Sequence, residues 1–371
     1  MDRKVLTDTE RFHWLRLART PNVGPVTFAQ LLARFGTAEK SIEALPELAR
    51  RAGRKRPLTA PDKRTIEAEI KATEKYGAHI IAACEPNFPK LLSSLDPPPP
   101  VLTVLGRTDI LNERSIAMVG ARNASAAGRK IARDMSAFLG KQGFIVVSGL
   151  ARGIDGEAHA AALPTGTAAV LGGGVDHVYP PQHDRLYAAI AADGAIVSES
   201  PLGHRATAKD FPRRNRLITG LALGTVVIEA AERSGSLISA RTAGEQGREV
   251  MAVPGSPLDP RAAGTNRLIQ QGAALVRSGE DVLDVINSLG QTRLEMAPGP
   301  LFENQSEDGA SLPPDQVSAV REALSPNPMS IDEIARAAGV GAARCAAILM
   351  ELELAGHATT LPGGLASSGA S

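Results

Sequence analysis

Aromatic side chains are scarce in this 371-residue chain: eight Phe, three Tyr and one Trp make up 3% of it. Proteins that hold bare nucleic-acid strands on aromatic platforms need such rings. Any nucleic-acid contact here is therefore expected to be dominated by phosphates. Cysteine is scarcer still. Cys84 and Cys345 stand far apart and outside any CxxC pattern, which argues against a disulfide framework or a zinc site and for a reducing compartment. Charge of one sign is also lacking, with 41 Lys and Arg against 40 Asp and Glu. Affinity for a polyanion must then come from local patches. No apolar run reaches the roughly 18 residues of a membrane span. The opening MDRKVLTDTERFHW has no signal-peptide core. A cytoplasmic protein without a membrane span is expected.

Glycine and proline, by contrast, are plentiful at 36 and 26, and the length suits two or three domains. Residues 1–76 read as a helical domain. Within it, Asn22-Val23-Gly24-Pro25 forms a turn between two helical patterns. That turn suits a helix-hairpin-helix, whose backbone N–H groups can hold a DNA phosphate, or an ordinary turn in a small bundle. The basic run at 50–57 suits a DNA contact or a solvated linker. Residues 79–105 are extended, with a strand-like run at each end and four prolines at 97–100.

From residue 115 short apolar runs alternate with helical stretches. Strands are expected at Ile116–Val119, Phe144–Val147, Ala168–Leu171, Ala195–Ser198, Thr225–Ile228 and Val250–Val253, with a short one at Ala274–Val276. Helices are expected near 125–141, 155–163, 183–192, 212–222, 236–247, 265–272 and 280–288. Continuous apolar strands separated by helices imply a Rossmann-like, doubly wound parallel sheet covered on both faces. This extended Rossmann-like domain is placed at 77–289. A linker follows at 290–313 and a small winged helix at 314–371. The helix in its recognition position carries Ala342, Ala343, Ala346 and Ala347 with Arg344 as its only base, which favours a structural or protein-contact role over DNA reading.

Ligands of such sheets bind at the carboxyl ends of the strands. Several polar turns fall there. MVGARNASAAG places Gly120 for close backbone approach, Arg122 for charge and Ser125 as a helix cap. It lacks the G-x-G-x-x-G spacing and the following acid of a dinucleotide site. SGLARGIDGEAH adds Arg152. Its Asp155 and His159 are four apart but have no evident third metal ligand, so a capping Asp and a structural His are expected. In LGGGVDHVYPPQHD, the irregular spacing of Asp176, His177, His183 and Asp184 favours a rigid loop over a metal site. The densest patch lies in HRATAKDFPRRNRLITG, where Arg205, Lys209, Arg213, Arg214 and Arg216 oppose only Asp210. Asn215 adds an amide there, and Phe211 can stack a base or sit in the core. Ser234, Gly235 and Ser236 offer hydroxyls and N–H groups at another helix start. No nucleophile with a base accompanies them. A phosphate-binding surface without catalysis, metal or cofactor is expected.

Taken together, these runs resemble the DNA-processing protein A (DprA/Smf) family of natural transformation. The matching segments are MVGARNASAAG, SGLARGIDGEAH, AVLGGGVDHVYPPQH, FPRRNRLITGL, VIEAAERSGSLISA, GREVMAVPGS and GTNRLIQQGA, in family order over most of 115–276. The helical N-terminal module and the C-terminal winged helix fit the family layout. The resemblance implies a homodimer that binds single-stranded DNA in a basic pocket and loads RecA onto it past single-strand-binding protein, without catalysis. It assigns DNA contacts to Arg122, Lys209, Phe211, Arg213 and Asn215. Ala121 departs from the pattern where a small hydroxyl residue is expected, removing one phosphate donor. The core also resembles the Lonely Guy nucleoside monophosphate phosphoribohydrolases. Their PGGxGT-type turn is replaced here by Arg233-Ser234-Gly235-Ser236-Leu237, which leaves nucleotide binding open. An adaptor for RecA with little DNA affinity of its own is a third reading.

Overall fold

The computed structural model describes residues 3–51, 58–295, 313–361 and 364–369. It divides into two units, Glu69–Leu95 with Leu102–Pro298, and Met1–Ala68 with Asp96–Val101 and Gly299–Ser371.

The chain begins with helices α1 (Asp8–Ala18), α2 (Pro25–Phe35), α3 (Ala38–Arg51) and α4 (Lys63–Lys75). Thr7 and Glu10 start α1 as a reciprocal capping box. That arrangement satisfies amide groups a helix start otherwise leaves without acceptors. Pro25 opens α2 at a position whose N–H needs no helical partner. The basic run expected at 50–57 lies almost wholly outside the described residues.

Next come β1 (Ala78–Ala82), α5 (Lys90–Ser93), β2 (Val101–Gly106), β3 (Ser115–Gly120), α6 (Ala126–Lys141), β4 (Ile145–Ser148) and α7 (Ile154–Ala162). The alternation continues through β5 (Thr167–Val170), α8 (Asp184–Asp193), β6 (Ala195–Ser198), α9 (Asp210–Gly220), β7 (Gly224–Ile228) and α10 (Gly235–Glu245). It ends with β8 (Glu249–Ala252), α11 (Ala263–Gln270), β9 (Ala274–Leu275) and α12 (Gly279–Glu295). The strands form one nine-stranded sheet in the order β1-β2-β6-β5-β4-β3-β7-β8-β9. From β6 to β9 every pairing is parallel. Strands β4 to β7 are buried along their whole length, which is why their sequences are unbroken apolar runs. The strands expected from residue 115 onward thus form the expected parallel sheet, and the extended stretch before them adds to its β6 edge. There β2 runs antiparallel to β6, with Thr103 opposite Ser198.

One face of the sheet packs Ile116, Met118, Val146 and Val226 against Leu139, Ala158 and Ile286. The same face continues over β5 and β6, where Ala169, Leu171 and Ile196 pack against Tyr187 and Ile190. The chain moves from β3 outward to β6, then returns to β7 on the other side of β3, so the order reverses between β3 and β7. Helix α12 continues to Glu295, past the start expected for a linker at 290. Most of the remaining linker, 296–312, lies outside the described residues.

The C-terminal segment contains α13 (Pro314–Ala323), β10 (Met329–Ser330), α14 (Ile331–Ala338), α15 (Ala342–Leu354), β11 (Ala358–Leu361) and β12 (Leu365–Ser368). Its sheet order is β10-β12-β11, the arrangement of a winged helix. Ser330 and Glu333 form a second capping box, and Gly339 ends α14 in the left-handed region at φ 66°. Val320, Ile334, Cys345, Ile348, Leu349 and Leu352 fill its core. The C-terminal part of α15 meets the N-terminal helices of the same unit. Thr27 donates its hydroxyl to Glu353, and Arg34 reaches the buried Glu351 at 3.5 Å.

Candidate nucleic-acid site

A cleft of about 280 Å³ opens at the carboxyl ends of neighbouring strands of the sheet. Its wall is the turn that leaves β4, residues 149–152. Leu150 in this turn is fully buried and has a left-handed backbone, φ 55°. Such a conformation is costly for a branched side chain and persists only where the surroundings impose it. Three side chains do so here. Asp155 accepts the N–H groups of Gly149 and Ala151 at 3.1 and 3.3 Å. His183 Nδ1 donates to the Leu150 carbonyl at 3.0 Å. Arg214 Nη1 donates to the carbonyls of Gly149 and Val170 at 2.8 and 2.6 Å. A Cβ on residue 149 would lie 2.2 Å from Arg214 Nη1, so only glycine permits this approach.

Burial dominates the electrostatics beneath the turn. It raises the Asp155 carboxyl above its usual range, against the pull of Arg214. It also lowers Arg214 to about 10, partly offset by Asp155, so the guanidinium stays charged at neutral pH. His159 falls to about 3, through burial and the neighbouring His183 and Arg214. The Thr167 hydroxyl donates to the Val146 carbonyl at 2.6 Å and therefore accepts from His159 Nδ1 at 2.7 Å. His159 is a neutral structural residue. Asp155 braces the preceding turn, a different task from the capping of its own helix that its position suggested. Asp176 instead accepts the Gly203 N–H at 3.0 Å. Among the described residues no three His, Cys, Asp or Glu side chains form a metal-binding group.

The mouth of the cleft carries free charge and rings. Arg122 and Arg152 are exposed and line it. The Arg122 guanidinium carbon lies 5.5 Å from the Phe211 ring centroid, within cation–π range. Tyr179 packs on Phe211 with centroids 5.7 Å apart and planes at 44°. Among the described residues no carboxylate lines the cleft.

Of the residues singled out in the sequence, the structure brings Arg122, Arg152, Phe211 and Arg214 to this cleft. Lys209, at the N-cap of α9, and Arg213, in its first turn, are exposed but do not line it. Asn215 is half-buried. Arg216 is ion-paired with Glu199, so its charge is already matched. Arg214 is only 7% exposed and supports the cleft from beneath. One signal for this was present in the sequence: Arg214 falls three, four and seven residues before Leu217, Ile218 and Leu221, on the apolar stripe of the helix.

The remaining candidates sit at strand and helix ends outside the cleft. Gly120 ends β3, where a Cβ would meet the Ile228 carbonyl at 1.9 Å. Ser125 caps α6 by accepting from Gly128 N at 2.9 Å, and its own N–H and hydroxyl go to Glu229. Ser234 caps α10, with Gly235 as its first residue, and bonds the largely buried Ser236 at 2.6 Å. Sequence reasoning passed over Tyr179 and Gln182, which line the cleft from the YPPQ run. A lone tyrosine among turn-forming prolines gave no period to read.

Comparison with known proteins follows the same division of the chain. A family model described as DNA recombination-mediator protein A matches residues 79–287. Models for a DprA-like N-terminal HHH domain and a DprA winged helix domain match 8–72 and 305–364. Protein Smf of Escherichia coli (strain K12) is 39% identical over 306 residues, covering 81% of this chain and 80% of that protein. DNA processing protein DprA of Bacillus subtilis (strain 168) is 40% identical, over 58% of this chain and 73% of that one. Among solved structures, DNA processing protein A from Streptococcus pneumoniae superposes with a TM-score of 0.65 at 33% identity, covering 76% of this chain and 98% of that chain. The protein from Helicobacter pylori, described by its single-stranded DNA binding mode, gives 0.52 at 28% identity, over 58% and 96%.

Proposed function

Because the chain belongs to the DNA recombination-mediator protein A family, we propose that it binds single-stranded DNA at this cleft as a recombination mediator. The observation that carries the reading is the pair of exposed arginines, Arg122 and Arg152, at the mouth of a cleft lined by no carboxylate. A net charge of +1 gives the whole molecule little pull on DNA, so this patch must supply it. Exposed Lys209 and Arg213 at the start of α9 extend the basic surface. The N–H groups and hydroxyls of Ser125 and Ser234 serve the fold and frame the site.

The same reading extends to protection of incoming DNA and loading of RecA onto it during natural transformation. It further includes displacement of single-strand-binding protein, action as a homodimer, and a place in the cytoplasm. It assigns the site no catalysis and no cofactor. The family membership supports these steps, and among the described residues no helix is long and apolar enough to cross a membrane. A nucleotide hydrolase of the Lonely Guy kind is less well supported. Its turn is replaced at 233–237, and Glu229, the acid at the end of β7, is engaged with Ser125.

The test is binding of labelled oligo-dT and a matched duplex over a salt series. For single-strand phosphate contacts the logarithm of affinity falls with the logarithm of salt at about −0.7 per contact. Arg122→Ala/Lys209→Ala is expected to bind more weakly with a shallower slope. Absence of binding by the unmodified chain at low salt would refute the reading.

A further inference from the structure

The two ends of the chain carry opposite charge. Residues 1–68 hold 14 Lys and Arg against eight Asp and Glu, whereas residues 314–371 hold three Arg, no Lys and six Asp and Glu. Both ends belong to one unit, in which α15 packs on α2 and α3. An acidic winged helix thus lies on a basic helical module.

The contact uses groups that a helix disfavours for its own sake. Glu351 and Glu353 stand in the last turn of α15, which holds no basic residue. The macrodipole is negative at that end, and carboxylates there are repelled by it. Glu351 is only 1% exposed and meets Arg34 Nη1 at 3.5 Å. Glu353 is fixed within the winged helix by Thr360, whose N–H and hydroxyl donate to it at 3.1 and 2.6 Å. The same carboxylate accepts the hydroxyl of Thr27. The Leu354 carbonyl accepts from Asn22 Nδ2 at 3.5 Å. Asn22, Thr27 and Arg34 are therefore each met by an oxygen of the winged helix. An amide, a hydroxyl and a guanidinium are side-chain types that hold DNA phosphates. Asn22 opens the turn that leads into α2, within the stretch matched by the HHH-domain model.

We propose that the winged helix is an acidic latch on the N-terminal helices. Its carboxylates stand in for the phosphates of a DNA backbone, and its release exposes Asn22, Thr27 and Arg34 as a second DNA-contact surface. Met350 and Leu354 are buried without belonging to the winged helix's own core. Release therefore uncovers apolar surface at a cost, and the closed arrangement is the resting one. DNA and latch compete for the same donors, so each weakens the hold of the other. This surface is separate from the cleft and goes beyond the reading given for it.

The experiment uses the full chain in an Arg122→Ala/Arg152→Ala background. That takes the cleft out of the measurement, so the latch and the cleft reading fail separately. Glu351→Gln/Glu353→Gln opens the latch. Asp315→Asn/Glu322→Gln, at exposed positions of α13, removes the same charge away from it. The open pair is expected to accelerate amide exchange at Val23–Phe28 by at least about tenfold, with Ile348–Leu352 still protected. It should bind labelled duplex and oligo-dT at least about tenfold more tightly than its parent, while the control pair stays within about twofold. Adding Arg34→Ala to the open pair should remove most of the gain. Glu351→Gln alone keeps the Glu353–Thr360 contacts, so it serves if the pair misfolds, and should show both changes at smaller size. Faster exchange without tighter binding overturns the masked DNA surface. Unchanged exchange at Val23–Phe28 overturns the latch, and an equal gain in the control pair assigns the effect to bulk charge and overturns it too.

Discussion

Arg213 and Arg214 are neighbours of identical chemistry with opposite circumstances. The side chain of Arg213 is exposed. Arg214 holds the Gly149 and Val170 carbonyls and faces the buried Asp155 charge. Breaking a buried charge pair from one side typically costs about 3–5 kcal/mol, whereas surface substitutions stay within about 0.5 kcal/mol. Arg214→Met is therefore expected to lower stability in urea unfolding by about 3–5 kcal/mol and Arg213→Ala to leave it nearly unchanged. Similar losses for both would contradict the burial seen here. His159 supplies a pH dependence at the same scale. Its folded pKa, about 3, lies below the usual 6.5, so the unfolded chain binds the proton first. Stability contributed by this residue is full above pH 6.5 and declines as pH falls toward 3. Between pH 6.5 and 4.5 the loss from this residue alone is about 2–3 kcal/mol. His159→Asn, followed by denaturant midpoints over that range, is expected to flatten the decline relative to the unmodified chain.

Strands β4 to β7 were legible as elements because burial on both faces leaves a continuous apolar run bounded by turns. The direction of β2 was not, since an apolar run has no polarity and its partner β6 is distant in sequence. Helix starts were equally legible, and Ser125 at the head of α6 shows the limit of that reading. A serine there suits a cap or a phosphate donor. The carboxylate of Glu229, on the residue just beyond β7 with a left-handed backbone at φ 54°, takes both the N–H and the hydroxyl of Ser125. Nothing in the local sequence announces that partner, which lies across the β3–β7 boundary. Ser125→Ala is expected to cost about 1 kcal/mol through the lost cap while leaving oligo-dT affinity within about twofold. A large loss of affinity at unchanged stability would return Ser125 to the list of direct DNA contacts.

At the scale of the molecule, the second unit is built from both ends of the chain. With Arg344 as its only base, α15 pointed to a structural or protein-contact role, and its C-terminal part meets α2 and α3. Its identity as a docking helix for the chain's own N-terminus was not legible, because the pairing spans more than 300 residues: Thr27 with Glu353, Arg34 with Glu351, and the Leu354 carbonyl with Asn22. Glu351 is only 1% exposed, a costly state for a carboxylate without compensating contacts. The fit is therefore specific, and each end depends on the other for covering surface. Local opening free energies follow such contacts. Ending the chain at Pro298 is expected to accelerate amide exchange at Val23–Phe28 and across α3 by at least about tenfold, near 1.4 kcal/mol. Strands β3 to β8, whose cores are complete within their own unit, should keep their protection. Unchanged exchange in α2 and α3 would mean that the N-terminal helices are stable alone and that the winged helix rests on them without supporting them.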